Sequence, residues 1–287
     1  NCFTQKGDKV MIQPPVYHPF AWVTTRNERT LVTNPLKWEN GMYRMDLDTF
    51  REQIKGCKLF ILCNPHNPGG VVWTEAELRA IADICYDEKV LVFSDEIHAD
   101  LTLPPHTHRP FATVSEKARM NSVTFMSPSK AFNMPGLSAS HALIFNEDLR
   151  KRFRIYMDAG ELDMGHVFAF LSVEAAYSHG TEWLDQCLAY IQGNIDFVDD
   201  FLKNHAPKIK AIRPEASYLV WLDCRELKLS QKDLNEFFVD KAHLALNDGE
   251  MFGKEGIGFM RLNVASPRCI IEKAMKQLAD AYQLYIK

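Results

Sequence analysis

Lys130 lies in Ser127-Pro128-Ser129-Lys130-Ala131-Phe132-Asn133, a polar turn directly after the apolar run Val123-Thr124-Phe125-Met126. A lysine amine at the end of a buried strand is a candidate Schiff-base nucleophile toward a carbonyl. A lone lysine in such a place is usually a solvated surface charge. Two further polar groups set this one apart. Asp95 ends a second apolar run, Val90-Leu91-Val92-Phe93-Ser94, and Asn67 follows a third, Leu59-Phe60-Ile61-Leu62-Cys63. Three polar groups are thus expected to converge at three strand ends.

If the carbonyl were that of pyridoxal 5'-phosphate, the cofactor would work as an electron sink only while its pyridine nitrogen stays protonated. A carboxylate beside that nitrogen is then required. Asp95 is placed for this role, with a helix cap or a salt-bridged aspartate as the plain alternative. Strand alternation turns the neighbouring Glu96 to the other side of the sheet.

Elements able to hold these residues are readable along the chain. Lys9 to Gln13 and Arg29 to Thr33 are short strands, and Asp46 to Ile54 sets Leu47, Phe50 and Ile54 on one helical face. Thr74 with Glu77 forms a capping box, after which Leu78, Ile81, Ala82 and Cys85 follow at helical spacing. This βαβ rhythm predicts an α/β fold: a mostly parallel sheet with helices on both faces. In such sheets ligands bind beyond the carboxyl ends of the strands. The second half differs: a long helix from Glu182 to Lys203 carries Leu184, Leu188, Ile191, Ile195, Val198 and Leu202 on one face. Strands at Tyr218 to Leu222 and Gly258 to Val264 follow, with helices at Gln231 to Ala242 and Ile270 to Tyr285. The boundary is placed near residue 180, giving a large cofactor-binding domain over 1–180 and a smaller α+β domain over 181–287.

With 287 residues, 46% hydrophobic and 24% charged, the chain can bury a sizeable core. A formal net charge of -4 supplies no electrostatic reason to expect nucleic acid or an anionic membrane. Seven cysteines are scattered singly, without metal-ligand spacing, as in a protein of the reducing cytoplasm. No run of eighteen apolar residues suggests a membrane span. The opening Asn1-Cys2-Phe3-Thr4-Gln5-Lys6-Gly7-Asp8 reads as the tail of a helix feeding a strand, without an initiating methionine. The chain is therefore expected to be a fragment.

Four segments carry a resemblance. Asn64-Pro65-His66-Asn67-Pro68-Gly69-Gly70, Ser94-Asp95-Glu96-Ile97-His98-Ala99-Asp100-Leu101, the Lys130 segment and Arg261-Leu262-Asn263-Val264-Ala265-Ser266-Pro267-Arg268 resemble the motifs of the class I/II aminotransferases, fold type I pyridoxal-phosphate enzymes. They occur in the family's order and span nearly the whole chain. Within that superfamily they are most similar to the cystathionine β-lyase branch, which includes the maltose-regulon modulator type. The resemblance implies that Lys130 holds the cofactor and moves the α-proton, that Asp95 pairs with the pyridinium, and that Asn67 and His98 lie near the phenolic oxygen. It implies that Tyr17 stacks on the cofactor ring, and that Ser127 and Ser129 donate to the phosphate, although Ser129 could be no more than a helix cap. Arg261 would clamp the substrate α-carboxylate in bidentate fashion, against the alternative of a surface ion pair at a strand edge.

His98 falls where many aminotransferases carry a tyrosine, which favours the lyase branch. His106 and His108, in a proline-rich loop, are read as ordinary histidines. Ser138 stands where many relatives have a phosphate-binding arginine, and Gly69 where threonine is common. The family's glycine-containing phosphate loop and a tyrosine lent by the partner subunit are expected to precede Asn1. The expected activity is β-elimination from a cystathionine- or cysteine-type amino acid in a homodimer. The alternatives are an aminotransferase using the same residues and a non-catalytic or regulatory remnant of the fold.

Overall fold

The computed structural model describes residues 1–285. In chain order the elements are β1 (Lys9–Ile12), α1 (Pro19–Arg26), β2 (Thr30–Thr33), β3 (Lys37–Glu39), β4 (Met42–Arg44), α2 (Leu47–Gln53), β5 (Cys57–Cys63), α3 (Glu75–Asp87), β6 (Leu91–Asp95), α4 (Glu116–Met120), β7 (Ser122–Met126), α5 (Pro128–Ala131), β8 (His141–Leu143), α6 (Glu147–Ala159) and α7 (Val167–His179). There follow α8 (Thr181–His205), β9 (Lys210–Ile212), β10 (Leu219–Asp223), α9 (Gln231–Glu236), β11 (Asn247–Asp248), β12 (Phe259–Asn263) and α10 (Arg268–Tyr285). The first sheet runs β2-β1-β5-β6-β7-β8. Every pair in it is parallel except β7 with β8. The second, β11-β12-β10-β9, is antiparallel throughout.

The expected α/β architecture is therefore present, and its local causes are visible. In α3 the Thr74 hydroxyl accepts from the Glu77 amide while the Glu77 carboxylate accepts from the Thr74 amide, so the helix starts where its free donors are satisfied. Leu78, Ile81, Ala82 and Cys85 are all buried against the sheet. Helix α8 buries Ile191, Ile195, Val198 and Leu202, and with Met260, Leu262, Met275 and Leu278 these form one apolar core. Another core gathers Phe50, Phe60, Trp73 and Ile81 from the first half with Trp221, Phe252 and Phe259 from the second. There Trp221 stacks on Phe259 at 5.2 Å between centroids and donates to the Tyr43 hydroxyl at 3.2 Å.

One predicted helix changes form. The expected Gln231 to Ala242 helix is regular only to Glu236, and Phe237–Lys241 widens into a π-type turn closed by the Ala242 amide on the Phe237 carbonyl. Phe237 and Phe238, where the widened turn begins, are both buried.

Candidate active site

Strands β5, β6 and β7 lie side by side, so their carboxyl ends open onto one region. A cavity of about 510 Å³ occupies it, lined by Tyr17, Asn67, Asp95, His98, Ser129, Lys130 and Arg261. Seven of the eight residues singled out in the sequence thus share one space. Ser127 is not among its walls. Its hydroxyl accepts from the Ser129 amide as the cap of α5 and donates to the Ala139 carbonyl, and it faces a neighbouring hollow that also touches Asp95.

After β5 the chain turns sharply. His66 is buried, its Nε2–H donating to the Pro15 carbonyl at 2.8 Å while Nδ1 accepts from the Gly69 amide. That pairing fixes a neutral ring, and burial pushes its pKa down to about 4. A Cβ at Gly69 would lie 2.8 Å from the Tyr43 ring and 2.9 Å from His66 Nδ1. Glycine in place of threonine at this position is thus dictated by a local close approach. The turn leaves Asn67 facing the cavity, its amide donating to Cys63 Sγ.

At the end of β6, Asp95 Oδ1 accepts from the Ile97 amide at 3.2 Å. Burial raises its pKa to about 6, the nearby Glu96 charge adds to that, and the bond from Ile97 and the Lys130 charge oppose it. Glu96 faces the opposite way, as strand alternation predicts. It accepts from the Ser94 hydroxyl, from the Phe111 amide and from His108 Nε2, at 2.8, 2.8 and 2.7 Å. His108 is therefore a largely buried structural tether of the proline-rich loop to the Asp95 turn, in keeping with its reading as an ordinary core or surface histidine. His98, one turn after Asp95, is buried with its Nδ1 unpartnered, and its ring lies 6.2 Å from Tyr218. Burial, with the Lys130 and Arg261 charges, holds its pKa at about 3, so the ring is a neutral imidazole in the physiological range.

Lys130 rises from α5, a single turn capped by Ser127, and its amine has no hydrogen bond or ion pair among the described residues. Across the cavity, Arg261 comes from β12. It donates through Nη1 to Asn67 Oδ1 and through Nη2 to Asn247 Oδ1, each at 2.8 Å, and lies 4.7 Å above the Phe252 ring. Sequence reasoning missed Asn247, which sits in a two-residue strand with no periodic signal. It also passed over His18, Cys63, Tyr218 and Asn263, which line the same cavity. Of these, Asn263 was within reach, two residues beyond Arg261 in the same motif.

This set of groups has a definite chemical capacity. An enclosed carboxylate whose proton is held unusually tightly gains most from an adjacent cationic ring nitrogen. Lys130 supplies an amine for a carbonyl, Asn67 and His98 are neutral hydrogen-bonding groups, and Arg261 is a cation for a carboxylate. An aromatic aldehyde with a basic ring nitrogen fits these groups.

The family model described as aminotransferase class I and II matches residues 1–278. Cystathionine β-lyase PatB of Bacillus subtilis (strain 168) is 38% identical over 281 residues, covering 97% of this chain and 73% of that protein. Protein MalY of Escherichia coli (strain K12) is 32% identical over 282 residues, covering 97% and 72%. Among solved structures, cystalysin from Treponema denticola, which contains a pyridoxal 5'-phosphate cofactor, superposes with a TM-score of 0.94 at 35% identity, covering 99% and 73%.

Proposed function

Because the chain belongs to the class I and II aminotransferase family, we propose that it is a pyridoxal-phosphate-dependent carbon-sulfur β-lyase acting on cystathionine or a cysteine-type amino acid. The observation that carries this reading is the convergence on one cavity of Lys130, Asp95 and an arginine that has no anionic partner among the described residues. The same activity is borne by the names of the relatives PatB and, in the Corynebacterium glutamicum protein, cystathionine β-lyase.

When bound, pyridoxal 5'-phosphate supplies an electron sink for the charge left at the substrate Cα. Asp95 would hold the proton on its ring nitrogen, Asn67 and His98 would face its phenolic oxygen, Tyr17 would lie against its ring, and Ser129 and Ser127 would meet its phosphate. Ser127 would have to give up its present acceptor, the Ala139 carbonyl. Arg261 binds and orients the α-carboxylate of the substrate. Lys130 Nζ then removes the Cα proton as general base. His98 stays neutral at its low pKa and does not compete for that proton. The thiolate leaves from Cβ, and with water the balance is one thiol, one pyruvate and one ammonium per amino acid.

In the test, cofactor-loaded protein is given cystathionine and, separately, an amino acid with a 2-oxo acid. Pyruvate and thiol in equal amounts are expected. Efficient transfer of the amino group without pyruvate would instead make the protein an aminotransferase, and failure to take up cofactor at all would make it a remnant.

The reading extends to a homodimer in the cytoplasm. Helix α7 has no single apolar stripe, and its Val167, Phe168, Phe170 and Leu171 are each more than half exposed. Large apolar side chains exposed together mark an interaction surface, and a second copy is the cover we assign. Light scattering on the purified protein should return about twice the chain mass, and a monomer at micromolar concentration would reject the dimer. All seven cysteines are free, which suits a reducing compartment. Among the described residues no helix is long and apolar enough to cross a membrane.

A further inference from the structure

Arg261 is held from two sides by side-chain amides and, among the described residues, by no acid. Its Nη1 and Nη2 each spend one hydrogen on a carboxamide oxygen, of Asn67 and of Asn247, which leaves three of its five N–H groups uncommitted. Nε is buried without a partner. Among the described residues no carboxylate lies within ion-pair distance of the guanidinium. The ionisable groups that interact with it are the phenols Tyr17 and Tyr218 and the imidazoles of His18 and His98, none of them an acid that would pair with it. A partly buried, unneutralised guanidinium is costly to maintain, and its surroundings have been kept free of the cheapest remedy.

That remedy is one residue away. Asn247 lies directly across the β11–β12 ladder from Arg261, and the next residue, Asp248, faces Met260. Strand alternation sends the two side chains to opposite faces. The Asp248 carboxylate is fully engaged elsewhere: it accepts from Gln231 Nε2, from Asn235 Nδ2 and from the Glu250 amide. The amide and the acid of this dipeptide are thus sorted, the neutral one to the arginine and the charged one away from it.

We propose that Asn247 is a positioning residue for substrate binding: it fixes the Arg261 guanidinium through a neutral carboxamide and so reserves its charge for the α-carboxylate of the amino acid. This rests on the assignment of Arg261 as the carboxylate clamp. A carboxylate at position 247 would keep the geometry of the hydrogen bond and occupy the charge. A merely structural role predicts that Asn247→Asp, which can still accept the bond, is milder than Asn247→Ala, which cannot. The proposal predicts the reverse order.

The experiment compares cofactor-loaded parent, Asn247→Ser, Asn247→Ala and Asn247→Asp proteins in two assays: thiol release from cystathionine, for KM and kcat, and a visible absorbance titration with L-alanine, which has no leaving group. Asn247→Ala should raise KM about 5-fold, the loss of one neutral hydrogen bond, with Asn247→Ser closer to parent. Asn247→Asp should raise KM and the alanine midpoint about 30-fold or more while kcat changes little, as expected when a charge-assisted pair must be broken before substrate binds. An Asn247→Asp protein within 3-fold of parent, or milder than Asn247→Ala, overturns the proposal. Should Asn247→Asp fail to fold, equal KM values for parent and Asn247→Ala would overturn it instead. If no protein releases thiol, the lyase reading fails, and the alanine titration still ranks the four proteins.

Discussion

Lys130→Ala should lower thiol release by about 10³-fold or more, since both covalent attachment and proton transfer by a positioned base are removed at once. The fold should be untouched. Lys130 makes no hydrogen bond or ion pair among the described residues and sits on a one-turn helix stabilised by the Ser127 cap, so truncation breaks neither kind of bond and the melting temperature should change little. Cofactor binding is expected to persist through Asp95, Asn67 and His98 but to become reversible. In the parent, borohydride reduction followed by denaturation should leave the cofactor attached to the peptide that carries Lys130. In Lys130→Ala the cofactor should wash out. A variant that keeps a tenth of parental activity, or a reduced parent labelled on another lysine, would remove Lys130 from the chemistry.

How much of this was legible before any coordinates follows from the physics of each signal. Strands β5, β6 and β7 lie inside the sheet and are mostly buried, so they read as apolar runs whose ends are unmistakable. The polar residues just past those ends, Asn67, Asp95 and Lys130, could therefore be located and their meeting foreseen. Alternation sufficed to separate Asp95 from Glu96. Contacts between distant segments left no such trace. His108 looked like any loop histidine because its partner, Glu96, lies twelve residues earlier across a proline-rich excursion. Asn247 looked like any polar residue because its meaning comes only from the strand opposite. Helix α1 was hidden by the prolines before it, although Pro19 opens it at the first position, where proline is well tolerated. Helix α7 gave no periodicity, because its apolar residues are spread around the helix and the signal sought was a stripe.

Asp95→Asn should produce opposite effects in the empty and the loaded protein. Burial raises the Asp95 pKa from 3.8 to about 6, so the folded protein binds this proton more tightly than the unfolded chain does. Between about pH 4 and pH 6 the native state therefore holds more protons, and the contribution of Asp95 to stability declines as pH rises through that window. By pH 7 the ionised carboxylate costs the empty protein up to about 3 kcal/mol, two pKa units at 1.36 kcal/mol each. Asparagine has the same shape and no charge. Cofactor-free Asp95→Asn protein should thus melt higher than cofactor-free parent at pH 7.5, by the equivalent of about 1–3 kcal/mol, and the gap should close below about pH 4. With cofactor the order reverses. The charge that was a liability becomes the counterion of the ring nitrogen, and its loss should weaken cofactor affinity about 10²-fold, at 1.4 kcal/mol per factor of ten. Thermal melts at both pH values and a fluorescence titration with pyridoxal 5'-phosphate decide the matter. Lower stability of the empty variant at pH 7.5 would show that Asp95 is held ionised by the fold itself. Unchanged cofactor affinity would show that the ring nitrogen finds its counterion elsewhere. Stability given up at Asp95 in the empty protein is, on this account, the source of the affinity that the cofactor gains there.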